Sequence, residues 1–410
     1  VPVFFALPFW FGSFVLLRIW VDEHWLAAVR SSFPVPVNFP HIAVRIARFT
    51  QASATPTLSL SKKPAGKEIL LFHSSVKYPR AHAVTISSRP DSTARDAPQM
   101  NARNLLQLIT LAALWGASFL FIRVGVTDFG VAPLMALRVG IGALSLAIVL
   151  IARRPLRQSL ATLRSRAVPL VVVGILNSAA PFCLFAYAEL TLSAGVTSVI
   201  NASTPLWGAL VAFLWLKDRL SALRSLGLVV GFLGVLMLVW DQIASSHGGS
   251  ATPLTIALAA AAALGATLLY GIAANYAKRN LGGVDALTVA TGTMAGATVV
   301  LLPLAVIYWP ATPISLNAWG AVIALGVACT GVAYMLYFHL LAVIGPAKTI
   351  TVTFVIPIFG ILWGALFLGE SVSPGMLEGC VVILIGTALA TGVVKRIPWV
   401  KPRRPSRADT

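Results

Sequence analysis

From Asn104 onward the chain is a succession of apolar runs about 20 residues long, and no water-soluble fold can bury ten of them. They span 104–123, 131–152, 167–188, 192–215, 222–240, 254–276, 284–308, 317–340, 346–368 and 373–394. About 20 mostly apolar residues carry a helix across the hydrocarbon of a bilayer. The runs are continuous and do not alternate with polar residues, which predicts helices instead of a β-barrel. Only 11% of the residues are charged, against about 25% in a soluble domain. The sequence therefore predicts an all-α membrane protein with ten transmembrane helices.

A pattern inside these runs occurs twice. PLWGALVAFLWLKDRLS at 205–221 parallels PIFGILWGALFLGESVS at 357–373. Pro205 aligns with Pro357, Gly208 with Gly360, Asp218 with Glu370 and Ser221 with Ser373; Gly227 then meets Gly379, and Gly234 meets Gly386. Gly116-Ala117-Ser118 parallels Gly265-Ala266-Thr267 more weakly, Tyr187 parallels Tyr337 with a two-residue slip, and Leu264 stands opposite Trp115. The expected units are a first five-helix repeat at 100–240 and a second at 254–394. Five is odd, so the second repeat enters the membrane from the opposite side, giving an inverted repeat.

Charge agrees with that topology. The formal net charge is +18, a value that can signal nucleic-acid binding, but its distribution points elsewhere. Arg153, Arg154, Arg157, Arg164 and Arg166 follow the second run; Lys217, Arg219 and Arg224 lie around the end of the fourth; Lys278 and Arg279 follow the sixth; Lys348 lies after the eighth. The alternate connections 124–130, 189–191, 241–253, 309–316 and 369–372 hold no Lys or Arg. This positive-inside alternation puts both ends of the ten-helix unit, and a basic tail at 395–410, in the cytoplasm, with the inner (plasma) membrane as the expected location. Nucleic acid is not an expected partner; the lipid bilayer is.

Residues 1–99 do not follow the pattern. They mix Pro, Ser, Thr and scattered basic residues without periodicity and read as a poorly structured extension. The first Met is Met100, directly before the first strong apolar run, which suggests a mis-assigned translation start. The alternative is an eleventh span, 1–21, followed by a basic linker. Cys183, Cys329 and Cys380 lie inside expected spans, without zinc spacing or an implied disulfide, so no metal or cofactor is expected.

LWGASFLFIRVG at 114–125, ALRVGIGAL at 136–144 and the Pro-to-acid-to-Gly progression closing each half resemble the EamA family of the drug/metabolite transporter superfamily. The resemblance covers about 104–394 and omits the N-terminal region. It implies ten helices around a central cavity and secondary transport of small metabolites, with amino acids or related compounds and export as the family-level expectation.

Several residues are candidates for the substrate path. Pro205 and Pro357 each remove a backbone hydrogen bond inside a run, so both are expected to break or gate a helix. One and two turns earlier lie Asn201 and Thr197 in the first copy, and Thr353 and Thr349 in the second; these polar stripes should approach each other near the midplane. Arg138 is a cation well inside the second run, costly there unless it faces the bundle interior. It could attract a substrate carboxylate, or it could pair with Glu189 or Asp128. Asn177, Trp115, Tyr270, Asn275, Tyr276, Tyr334 and Tyr337 could line the same path, or serve as interfacial anchors, Tyr276 and Tyr337 above all. No Asp or Glu lies mid-span, so the proton-coupling candidates are His339 and Glu189, read as matched positions. Gly227, Gly231 and Gly234, echoed by Gly379 and Gly386, form a small-residue ridge; it suits helix packing within the chain, with a homodimer seam as the other reading.

The competing class is a membrane-embedded enzyme or a non-transport scaffold. An enzyme needs a nucleophile with a base, or clustered ligands. The ten-helix unit offers only His247 and His339, with no H-E-x-x-H or G-x-S-x-G pattern.

Overall fold

The computed structural model describes residues 101–245 and 251–393. The expectations for the extension 1–99 and for the tail 395–410 lie outside the described residues. Within them the chain is helical. The helices are α1 (Ala102–Phe129), α2 (Val131–Arg153), α3 (Leu156–Ser165), α4 (Ala167–Gly174), α5 (Ala180–Ala188), α6 (Ala194–Asn201), α7 (Thr204–Leu216) and α8 (Ala222–Ala244). The second half supplies α9 (Pro253–Asn280), α10 (Ala286–Ile307), α11 (Leu316–Gly326), α12 (Ala333–Ile344), α13 (Pro346–Thr349), α14 (Val352–Leu368) and α15 (Pro374–Thr391). π-helical turns at Ile175–Ala179 and Val327–Val332 join α4 to α5 and α11 to α12. Among the described residues nine helical stretches are long and apolar enough to cross a membrane, and the shorter apolar α14 accompanies them. The first span runs past its expected end at 123 to Phe129, because the helix stops only where Gly130 turns to φ 72°.

Local chemistry fixes the helix ends twice over. The matched Ser221 and Ser373 are N-caps, accepting from the amides of Arg224 at 3.4 Å and Met376 at 3.0 Å. The residues before the matched acids, Lys217 at φ 56° and Gly369 at φ 65°, both end their helices in the left-handed conformation. The π turns start 152 residues apart, at Ile175 and Val327, as do Ser221 and Ser373.

Packing corrects the register of the first spans. Gly116 lies against Phe359 and Gly360 of α14, while Gly271 lies against Trp207 and Gly208 of α7. Trp207 and Gly208 precede Phe359 and Gly360 by 152 residues, so Gly116 matches Gly271, not Gly265, and Trp115 matches Tyr270, not Leu264. The same spacing pairs Tyr337 with Phe185, not Tyr187, and His339 with Tyr187, not Glu189. Apolar helices can slide by a turn or two without changing the character of the sequence, and the interlocked glycines decide where they stop.

The longest seam joins α8 to α15. The missing side chain of Gly234 admits Ile383 and Val382, and Gly386 admits the backbone of Gly231. Gly227 is covered by Ala390 and Leu389, and Gly379 by Leu238. The glycine ridge is thus filled by the partner helix of the same chain and is not a free surface for a homodimer. α2 packs along α10 and α1 along α14, so each repeat is interleaved with the other.

Pro205 breaks its span as expected, since α6 ends at Asn201, whose carbonyl Pro205 cannot serve, but Pro357 does not. In the first repeat the chain turns at Ala202–Ser203, and Pro205 sits in the first turn of α7. In the second it turns at Ile350–Thr351, and α14 runs unbroken through the buried Pro357. At both breaks hydroxyls satisfy carbonyls that the hydrocarbon cannot. At the first break Thr204 donates to Asn201 O at 2.8 Å, Ser203 to Ile200 O at 2.7 Å, and Thr387 of α15 to Ala202 O at 3.2 Å. At the second, Thr351 donates to Lys348 O at 2.6 Å and Thr353 to Ile350 O at 2.8 Å.

Candidate functional site

Arg138 of α2 is 6% exposed and faces the bundle interior. Its guanidinium carbon lies 3.8 Å from the ring centroid of Phe182 on α5, a cation–π geometry that partly replaces lost water. One terminal nitrogen reaches the Ser118 hydroxyl of α1 at 3.5 Å, while Nε has no hydrogen-bond acceptor among the described residues. Neither acid considered as its partner pairs with it. Asp128 accepts from the Ser315 amide at 3.0 Å, holding the α1 end against the α11 start. The Glu189 carboxylate oxygens are buried without a donor among the described residues. Tyr270, Cys329, Tyr334 and Glu189 lie within electrostatic reach of the guanidinium.

Two aromatic pairs occupy matched positions in the two repeats. Trp115 of α1 meets Tyr337 of α12 with ring centroids 5.5 Å apart, and its equivalent Tyr270 of α9 meets Phe185 of α5 at 5.9 Å. Trp115 also meets Tyr334 edge-on at 6.5 Å. Asn177, in the first π turn, donates to the Tyr334 hydroxyl at 3.4 Å. A π turn adds a residue without breaking the helix, which re-aims the side chains after it. The structure therefore sets Tyr270 and Tyr334 within electrostatic reach of Arg138 and links Asn177 and Trp115 to Tyr334. Chemically, a buried guanidinium whose Nε lacks an acceptor can hold an anionic group.

The other expected residues lie elsewhere. Thr197 donates to Ser193 O at 3.0 Å and Thr349 to Gly345 O at 2.9 Å, each one turn back on its own chain. Asn201 takes part in the first break and Thr353 in the second. Among the described residues no hydrogen bond joins the two stripes. They run from opposite membrane faces, and their hydroxyls are already used locally. His339 is exposed on α12. Glu189, just past the end of α5, is fully buried. Burial, with the like charge of Glu370, pushes its carboxyl well above the usual carboxylate range, against the pull of Arg123 and Arg138. The Arg123 guanidinium donates to the Glu189 backbone oxygen.

Sequence reading missed Phe182, Ser118 and Phe185, and expected Tyr337. The signal for Ser118 was present, since it lies three residues after Trp115 on the same helical face. Phe182 and Phe185 carry no signal beyond being aromatic until the repeat register pairs them with Tyr334 and Tyr337. Among the described residues no group of three His, Cys, Asp or Glu is placed to hold a metal ion.

A model of the EamA-like transporter family matches residues 103–240 and, separately, 257–392. "Uncharacterized transporter YoaV" of Bacillus subtilis (strain 168) is 22% identical, over 71% of this chain and 98% of its own length. The "Probable terminal-alkyne amino-acid exporter" of Streptantibioticus cattleyicolor is 27% identical, over 69% of this chain and 91% of its own. A solved protein crystal structure superposes with a TM-score of 0.51 at 19% identity, over 73% of this chain and 99% of that one, and so shares the fold.

Proposed function

The chain belongs to the EamA-like transporter family, and on that premise we propose that it exports small carboxylate-bearing metabolites, amino acids or related compounds, across the inner membrane. Transport proceeds by alternating access between the two inverted repeats, with the arginine-rich face in the cytoplasm. Arg138 carries this reading. It is a buried guanidinium with no carboxylate in hydrogen-bonding range among the described residues. A permanent cation without a counter-ion is costly at that depth, and a substrate carboxylate would supply the missing partner. Nε, which lacks an acceptor, and one terminal nitrogen form a fork suited to bidentate binding. Trp115, Tyr337, Tyr270 and Phe185 would then enclose the side chain of the substrate, and Asn177 with Tyr334 would offer a polar rim. The exporter from Streptantibioticus cattleyicolor supports the amino-acid class by its name. Asn201 and Thr353, at the two helix breaks, would line the route to this site. Proton coupling falls to Glu189 in preference to the exposed His339.

The test is flux. Metabolites retained and released by cells with and without the gene identify candidates, which are then measured in proteoliposomes. Arg138→Ala should abolish flux at normal membrane abundance, and Arg138→Lys should retain a fraction, keeping charge without the fork. Undiminished flux in Arg138→Ala, or equal flux of the decarboxylated amine, would overturn the carboxylate site.

A further inference from the structure

The repeats are alike in sequence and local geometry but not in contacts. α6, the first half of the fourth span, is buried from Ala194 through Ile200. Its mate 152 residues later begins at Pro346; there Pro346 is exposed and Ile350 is 40% exposed. Ser198 of α6 packs so tightly on Gly360 of α14 that a Cβ at Gly360 would collide with it. The equivalent of Gly360, Gly208 of α7, has open space where a Cβ would go. The matched acids differ in the same sense. Glu370 reaches across the repeats, its Oε1 accepting from the Ala194 amide at 2.7 Å and its Oε2 from the Gly195 amide at 3.0 Å. Asp218 is exposed, and among the described residues its carboxylate accepts no hydrogen bond. Local backbone does not cause this, because both acids follow a left-handed residue and both donate to the carbonyl six residues back, Asp218 to Ala212 and Glu370 to Gly364.

We propose that Glu370 is the latch of the arginine-poor gate, holding α6 closed on α14 in the state described here, and that this face opens when its carboxylate leaves the Ala194 and Gly195 amides. The opposite face then closes over Asp218. The inference rests on transport by alternating access but is tested without a substrate. The latch suits reversible opening. Both the carboxylate and the amides can be rehydrated, whereas the α8–α15 seam is held by interlocked backbone. Gly364 clears the space that the carboxylate fills, since a Cβ there would overlap it. The electrostatics also favour the closed latch, because a carboxylate complements the positive end of a helix.

The test is accessibility. Ser198→Cys, in a chain whose Cys183, Cys329 and Cys380 are replaced by alanine, is labelled in intact cells by a membrane-impermeant maleimide. Labelling should be slow in this parent. It should be about tenfold or more faster with Glu370→Ala, the scale of losing one charge-assisted hydrogen bond, and faster by a smaller factor with Glu370→Gln, which keeps one acceptor. Asp218→Ala should label at or below the parent rate. Size-exclusion profiles establish that each variant is folded, and if Glu370→Ala is not, the Gln variant decides. Unchanged labelling in a folded Glu370 variant, or equal acceleration by Asp218→Ala, would overturn the latch. Fast labelling with no flux of any metabolite would instead count against the transport reading alone.

Discussion

Replacing Gly234 with alanine should separate α8 from α15, and its cost can be worked from the seam. An ideal Cβ there would stand 2.8 Å from Ile383 N, 2.9 Å from Val382 Cγ1 and 3.0 Å from Ile383 Cγ1. Ordinary contact begins at 3.4 Å, so the helices must part locally by about 0.6 Å. The nearest atom is backbone and cannot rotate away. A gap of about 0.5–1 Å forfeits a quarter to a half of each dispersion well along the seam, and forced overpacking costs about 1–3 kcal/mol. Alanine returns at most about 1 kcal/mol of helix propensity. The net loss is about 1–2 kcal/mol, or about 2–8 °C in melting temperature on the scale of soluble domains. The control is Gly208→Ala, at a helical glycine with nothing within 4 Å of the new Cβ, which should be neutral or stabilising. Thermal unfolding in detergent, followed by size-exclusion recovery, compares the two. Equal melting temperatures would refute the claim that interlocked backbone holds this seam.

Thr387→Val leaves the buried Ala202 carbonyl without its donor and should cost about 1–3 kcal/mol, with Thr387→Ser recovering most of it in the same melt. Arg154 and Asp285 pair at 2.6 Å but are 55% and 34% exposed, so Arg154→Ala should cost less than about 1 kcal/mol. Asp285→Ala should cost more, because Asp285 also caps α10 through the Thr288 amide at 3.1 Å; the reverse ranking would place the energy in the ion pair. Glu189 has a carboxyl raised by burial, so the folded protein holds a proton that the unfolded chain has released. That stabilisation is full at low pH and is lost as pH rises from the ordinary carboxylate range through the raised value. Glu189→Gln should therefore melt higher than the parent at pH 8 and equally near pH 4; a lower melt at pH 8 would mean an ionised Glu189 paired with Arg123.

Much of the architecture is local and was readable from the chain. Apolar run length gives the spans, and five spans per copy give an inverted repeat. The matched Ser221 and Ser373 cap helices using amides three residues away. Arg138 was readable as an interior residue because a cation in an apolar run has few other places to go. The π turns were not readable, since Ile175–Ala179 and Val327–Val332 have no composition that distinguishes them from α-helix. Nor was the position of the second break, because Pro357 matches Pro205 while the hydroxyls that satisfy the carbonyls are not matched.

The sequence by itself determined that the chain spans a membrane in two like halves and that one guanidinium must find company inside it. Hydropathy, capping and charge burial act within a few residues and need no knowledge of neighbours. The tertiary structure decided what the guanidinium lies on, which aromatic faces which, and which of two matched acids is engaged. Glu370 and Asp218 share a motif, a backbone conformation and a local hydrogen bond. Only the approach of α6 gives Glu370 two amides to hold, and that approach is a property of two repeats packed asymmetrically, which no single stretch of sequence contains.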